Sequence, residues 1–400
     1  MSPRGVRLLW ALIALGLGLR LAWAFTTYGV GFDVDAYSVV RGGLHDDPLH
    51  VYGDFARWPY PPGYFLWVLA AGGLEGLTNL SFSNLIQLPP IFADLAIAFV
   101  VQHALGRRGA SERIRLAAAA LVALGPSFLV VSGFHGQIDS IAILPALLGV
   151  LLWTRTEHRQ RAVAVGLLIG LGGVLKTVPL VAVLGLLPWA RSWREGAVLL
   201  ASAAALPILA FLPFAVADPG GVLQALRYRG VPGVGGISLV AQPELARVWM
   251  NEILVDPSGL TLALLDVGGA ITAAALLAGV AFLFRFRPGP VEGAAFVYVL
   301  LWVFGVNFFL QYVVWGFPFL LIAGFVREVA AAQALMLPAI VLVYLRPWES
   351  EAAAWIYAPT AIGMWVASVI GLIALAGRIA GAPRALEPPA LAKRAEHAGQ

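Results

Sequence analysis

The chain is a succession of apolar runs, at 8–28, 84–105, 116–131, 140–154, 162–175, 177–189, 197–217, 259–284, 293–306, 313–326, 330–346 and 355–377, joined mostly by short arginine-bearing connections. A helix needs roughly 20 apolar residues to cross the hydrocarbon core of a bilayer. Backbone exposed to lipid must also satisfy its own hydrogen bonds, which leaves helices or closed barrels. Runs of this length predict an all-α polytopic membrane protein with about 12 transmembrane helices. Only 12% of the residues are charged and 60% are hydrophobic, so little polar sequence remains for a soluble domain.

The basic balance, with a pI of about 9.5, does not point to nucleic acid. The arginines sit in loops between spans, where insertion topology puts them. No cysteine is present, which excludes disulfides, thiolate metal sites and a cysteine nucleophile. Arginine so far exceeds lysine that a GC-rich genome, and hence a prokaryotic plasma membrane, is expected. The basic start, apolar middle and small-residue stretch Leu21–Ala24 have the layout of a cleaved secretion signal. Arg20 within the apolar part argues instead for a retained first span.

The segment 63–80 is also apolar. If it spanned, Arg107, Arg108, Arg113 and Arg115 would fall outside, so it is expected along the outer surface, with Phe65 and Trp67 as interfacial anchors. Both termini are then cytoplasmic, and basic residues favour the cytoplasmic segments by about three to one. The expected organisation is a transmembrane unit over 1–380. It has long extracytoplasmic loops at 29–83 and 218–258 and a disordered cytoplasmic tail at 381–400, rich in proline and charge. Long loops in a compact protein are commonly functional.

Polar residues collect at the outer edge. Asp33 and Asp35 follow the first span, and a carboxylate at a low-dielectric boundary suits a general base. Whether both reach one substrate depends on the local backbone, since residues two apart share a face in a strand and diverge on a helix. Tyr60-Pro-Pro62 makes a rigid bend. Phe134–Ser140 concentrates His135, Gln137 and Asp139 between two apolar spans, where polar groups need partners or a function; Asp139 as a helix cap is the alternative. Lys176 is the lone lysine of the membrane body, and its ammonium calls for a phosphate or for a partner such as Asp139 or Asp94. Arg20 lies near the outer interface, where it would bind a lipid phosphate, pair with an acid or snorkel. Arg227 and Arg229 in the second long loop, and Gln311-Tyr312 at a further outer edge, complete the candidates. Asp94 and Asp266 are expected to pack within the bundle.

In order and placement, Asp33-Val-Asp35, Tyr60-Pro-Pro-Gly-Tyr64, Ala93-Asp94, His135-Gly-Gln-Ile-Asp139 and Lys176-Thr-Val-Pro179 resemble the GT-C superfamily of membrane glycosyltransferases. That group includes bacterial GPI mannosyltransferase II-like proteins and the glucosyltransferases that extend the lipid-linked N-glycan precursor. The C-terminal half departs from the pattern, with no His-Glu-Lys-type motif. The resemblance implies a GT-C-like bundle and a hexosyltransferase moving a mannose-like sugar from a polyprenyl-phosphate donor to an extracytoplasmic lipid or glycan acceptor. Inverting displacement would use Asp33 as base, Asp35 as an aid to the acceptor, and Arg20, Tyr60, His135, Gln137, Asp139, Lys176, Arg227, Arg229, Gln311 and Tyr312 as substrate contacts. Partners are then the donor, the acceptor and membrane lipids. The resemblance names no definite cofactor and leaves a divalent cation open. The rivals are a secondary transporter or lipid flippase, and a lipid-linked oligosaccharide ligase or polymerase.

Overall fold

The computed structural model describes residues 1–55, 58–155, 160–228, 230, 232–246, 259–345 and 351–382. Among them every regular element is helical. In chain order these are α1 Pro3–Thr26, α2 Gly31–Asp46, α3 Phe65–Leu77, α4 Phe82–Arg107, α5 Glu112–His135, α6 Asp139–Trp153, α7 Arg161–Gly173, α8 Val178–Trp189, α9 Trp193–Ala217 and α10 Pro219–Leu226. There follow α11 Gly259–Phe286, α12 Pro290–Phe304, α13 Leu310–Ile322, α14 Val326–Tyr344 and α15 Glu351–Gly381. Shorter turns join several of them.

Seven of these, α1, α4, α5, α9, α11, α14 and α15, are long and apolar enough to cross a membrane. The protein is therefore an all-α polytopic membrane protein. The other five predicted runs are also helical, as α6, α7, α8, α12 and α13, but each is shorter than 18 residues. Several are cut by proline or glycine; α12 and α13 are buried along nearly their whole length, whereas α7 keeps Val163, Leu167 and Leu171 exposed. Small residues allow close approach between helices, as in membrane bundles generally. A Cβ on Gly185 of α8 would lie 2.5 Å from the Ala294 backbone of α12, and one on Gly170 of α7 would lie 2.7 Å from the Ala203 carbonyl of α9.

Arg20 and Asp94 explain how charge is tolerated inside. Both are fully buried and pair at 3.0 Å. The Arg20 guanidinium also donates to Ser132 Oγ and to the carbonyls of Gly16, Ala123 and Val122, while Ser132 and Ser140 donate to Asp94. The network ties α1, α4, α5 and α6 together. A buried pair survives in low dielectric only when its remaining donors and acceptors are satisfied in this way.

The segment after α1 folds as a cap with its own apolar core. Tyr37, Tyr52, Trp58, Tyr64, Phe65, Val68 and Ile86 pack together, joined by Val222 and Ala225 of α10. The two predicted long loops thus meet at one end of the bundle. Helix α3 corrects one expectation: Phe65 is buried in the cap core, and Trp67 Nε1 donates inward to the Leu85 carbonyl at 3.1 Å. The outward face carries Leu66, Leu69, Leu74 and Leu77 instead. At the far end Ser2 bonds to Glu112 and Arg108 pairs with Glu292. Most of the tail, 383–400, lies outside the described residues.

Candidate active site

Gly29 adopts a φ of +80°, which lets the chain leaving α1 turn against α5. A Cβ there would sit 2.7 Å from the Phe134 carbonyl. Helix α2 begins directly afterwards and carries Asp33 in its first turn, where the positive end of the helix dipole favours a carboxylate. One turn later Tyr37 Oη donates to the Gly136 carbonyl at 3.3 Å, fixing α2 against the end of α5.

The opposing residues come from two irregular helix ends. Val131–His135 closes α5 as a π-helical turn, and Val341–Leu345 continues α14 as another. Such turns recur at functional sites because the extra residue re-aims side chains. Here they bring His135 Nδ1 within 2.9 Å of Tyr344 Oη, and His135 Nε2 donates to Asp33 Oδ2. Gly136 follows in the left-handed region, φ +77°, turning Gln137 back toward the same carboxylate. Tyr60 Oη donates to Gln137 Oε1 at 3.4 Å.

Two donor chains, Tyr344–His135 and Tyr60–Gln137, therefore converge on Asp33. Its side chain keeps 22% exposure, toward the cavity. Burial pushes the carboxyl up, but the His135 imidazole and its hydrogen bond, the Gln137 bond and the Lys176 ammonium outweigh it and hold Asp33 below the ordinary value. Burial, then the Asp33 and Asp139 charges, push the Tyr60 phenol well up, so it remains a donor.

Asp33, His135, Gln137, Tyr60, Gln311, Tyr312 and Tyr344 line a cavity of about 400 Å³. A neighbouring one of about 640 Å³ is lined by Lys176, Trp315 and Asn307 and by small and apolar residues of α11. Tyr60, Tyr228 and Tyr312 border both. Lys176 Nζ pairs with Asp139 Oδ1 at 2.7 Å, and Trp315 Nε1 donates to the same oxygen. The ammonium also lies 5.0 Å from the Tyr60 ring centre, 5.5 Å from Trp315 and 5.8 Å from Tyr312, a cation–π cage. The far oxygen of Asp139 is buried without a partner among the described residues.

Of the predicted site residues, Asp33, Tyr60, His135, Gln137, Lys176, Gln311 and Tyr312 line these two cavities, and Asp139 stands behind Lys176. Asp35 does not reach them. Two positions further along a helix it points about 200° away, is exposed, and accepts from Tyr28 Oη at 2.7 Å. Arg20 is committed to Asp94 and lines neither cavity. Arg227 is exposed at the end of α10 and also lines neither, and Arg229 lies outside the described residues. Sequence reasoning missed Tyr344 and Tyr357, which sit within apolar runs. The only clue was that a tyrosine buried among apolar residues needs a hydrogen-bond partner. The described residues contain no group of three or more His, Asp or Glu side chains able to hold a metal ion.

A family model described as glycosyltransferase family 87 matches residues 58–310, more than half of the chain. The chain belongs to glycosyltransferase family 87. This places it among the GT-C-like membrane glycosyltransferases. The family 87 match takes in Tyr60, His135, Gln137, Asp139 and Lys176, while Asp33 and Tyr344 lie on either side of it. A comparison with curated proteins gives no match. Among solved structures the chain is similar to ArnT from Cupriavidus metallidurans, crystallised with undecaprenyl phosphate. Identity is 15% over 95% of this chain and 78% of that one, with a TM-score of 0.48.

Proposed function

We propose that this family 87 glycosyltransferase moves a hexose, mannose-like in kind, from a polyprenyl-phosphate donor to the hydroxyl of a lipid or glycan acceptor. The reaction takes place at the extracytoplasmic face. The observation that carries the reading is the junction of the two cavities. An ionised carboxylate held by two donor chains faces one, and a caged ammonium faces the other, with three tyrosines between them.

In this reading the acceptor hydroxyl lies against Asp33 and the donor phosphate against Lys176. The acceptor oxygen attacks the anomeric carbon from the side opposite the phosphate, so the configuration inverts. The new C–O bond forms as the bond to the phosphate oxygen breaks, the hydroxyl proton passes to Asp33, and prenyl phosphate departs with the electron pair. Asp33 is a weak base in the ground state. It needs to take the proton only late, when the attacking oxygen has become acidic, and meanwhile its charge stabilises the oxocarbenium character of the sugar. Lys176 and the Tyr60 hydroxyl answer the charge building on the phosphate. Holding both substrates at one junction supplies a large part of the rest. The small and apolar wall of α11 suits a prenyl chain entering from lipid.

The arginine-rich end of the bundle, with Arg107, Arg108 and Arg113, lies opposite Asp33, which supports an extracytoplasmic site by the positive-inside rule. Membership of a glycosyltransferase family weighs against a transporter or flippase. Of the two loop arginines that suggested a ligase, Arg227 lines neither cavity and Arg229 lies outside the described residues. The test is Asp33→Asn in the purified protein, supplied with synthetic prenyl-phosphate donors carrying different radiolabelled hexoses. Transfer from one donor by the wild type, with at least a hundred-fold loss in the variant, is expected. Undiminished transfer by the variant removes Asp33 as base, and no transfer from any prenyl-phosphate donor removes the donor class.

A further inference from the structure

The end of the bundle opposite Asp33 carries a second built feature. Between α4, α6 and α7 runs an apolar slot of about 470 Å³, walled by Phe99, Leu148, Leu152 and Leu168. It opens on the outside of the bundle, where Leu148 is 40% exposed. Next to it, among the ends of α4, α6 and α13 and the start of α12, is a pocket of about 350 Å³ rimmed by Arg107, Arg108 and Arg155. Leu151 and Arg155 line both, so the slot and the pocket form one continuous groove.

The charges in the pocket are unequally committed. Glu292 pairs with Arg108, whereas Arg107 and Arg155 have no ion pair among the described residues. Both stand at helix C-termini, whose dipoles hold cations in place. The N-terminus of α12, a 15-residue helix, also borders the pocket, with the Glu292 carboxylate already in its first turn. An apolar slot facing lipid that runs into a basic pocket at the membrane boundary has the shape and charge of a phospholipid with an anionic headgroup.

We propose that this groove binds one anionic phospholipid of the inner leaflet, with an acyl chain between α4, α6 and α7 and the headgroup phosphate between Arg107 and Arg155. The site is separate from the proposed transfer centre; only its assignment to the inner leaflet rests on the orientation proposed above. A basic residue near the surface contributes about a fivefold change in anionic-lipid binding. Neutralising both should therefore weaken retention about 25-fold.

The experiment is native mass spectrometry of the full chain, released from mixed micelles containing phosphatidylglycerol or phosphatidylcholine. The wild type should retain one phosphatidylglycerol in clear preference to phosphatidylcholine, and R107Q/R155Q should lose that preference. Leu148→Trp, which fills the slot and leaves both arginines in place, should lose the retained lipid as well. Thermal unfolding measured alongside shows that each variant is folded. Equal retention of the two lipids by the wild type, or unchanged retention by folded R107Q/R155Q, overturns the proposal. Displacement of phosphatidylglycerol by millimolar inorganic phosphate, with Leu148→Trp without effect, would reassign the pocket to a free anion and overturn the lipid.

Discussion

Tyr344→Phe isolates the part of the site that sequence reasoning did not see. Tyr344 Oη meets His135 Nδ1 at 2.9 Å, and both side chains are buried. When the imidazole is neutral, this contact occupies Nδ1 as an acceptor and so keeps the ring proton on Nε2, facing Asp33. Without the phenol, the neutral ring can carry its proton on Nδ1 and turn an Nε2 lone pair toward the carboxylate. Leaving one buried nitrogen unsatisfied costs about 1–3 kcal/mol. If that cost falls on the catalytic arrangement, turnover drops by about five- to 150-fold. The assay is steady-state sugar transfer by purified variant and wild type, with donor KM, kcat and thermal unfolding measured on the same preparations. A fall in kcat with donor KM little changed is expected, because Tyr344 does not line the Lys176 cavity. Turnover within twofold of wild type, or a loss explained wholly by unfolding, would refute the idea that Tyr344 positions His135 for Asp33.

The depressed Asp33 carboxyl predicts a kcat/KM profile without an acid-side fall through the neutral range, down to about pH 5. By the same linkage, its contribution to stability is present above the unfolded carboxylate value of about 4 and lost as pH falls below that, which acid unfolding followed by tryptophan fluorescence reports. Arg20→Met should destabilise the fold by about 3–5 kcal/mol, because it strands the Asp94 charge in the bundle. Arg20→Met/Asp94→Leu should recover much of that in thermal unfolding, with transfer little changed in the folded fraction. Lys176→Met leaves Asp139 without its cation and should impair both folding and transfer. Lys176→Met/Asp139→Asn should restore stability while transfer stays down by about a hundred-fold or more, and restored transfer would remove Lys176 from phosphate stabilisation.

The membrane architecture was legible because solvation in lipid is a composition-level constraint: each of the predicted apolar runs is helical, whatever its neighbours. The polar constellations were legible for a related reason. His135, Gln137, Asp139 and Lys176 are too costly at a membrane edge to lie there without partners or a task, and the structure gathers them around two adjoining cavities. The same argument could not separate partner from task. Lys176 and Arg20 carry the same charge in similar runs, yet one faces a cavity while the other is consumed by Asp94, Ser132 and three carbonyls.

The chain's sequence alone thus determined the solvent it folds in, the class of fold and the residues whose burial needs explaining, since these follow from hydropathy and from the cost of desolvating charge. Only the tertiary structure decided that Asp33 and Asp35 part company, because two positions on a helix turn by about 200°. It also decided that Tyr344 is a partner of His135, across 209 positions of chain. Hydrogen bonding between segments so far apart depends on packing, and apolar sequence around a tyrosine carries no record of what its hydroxyl will meet.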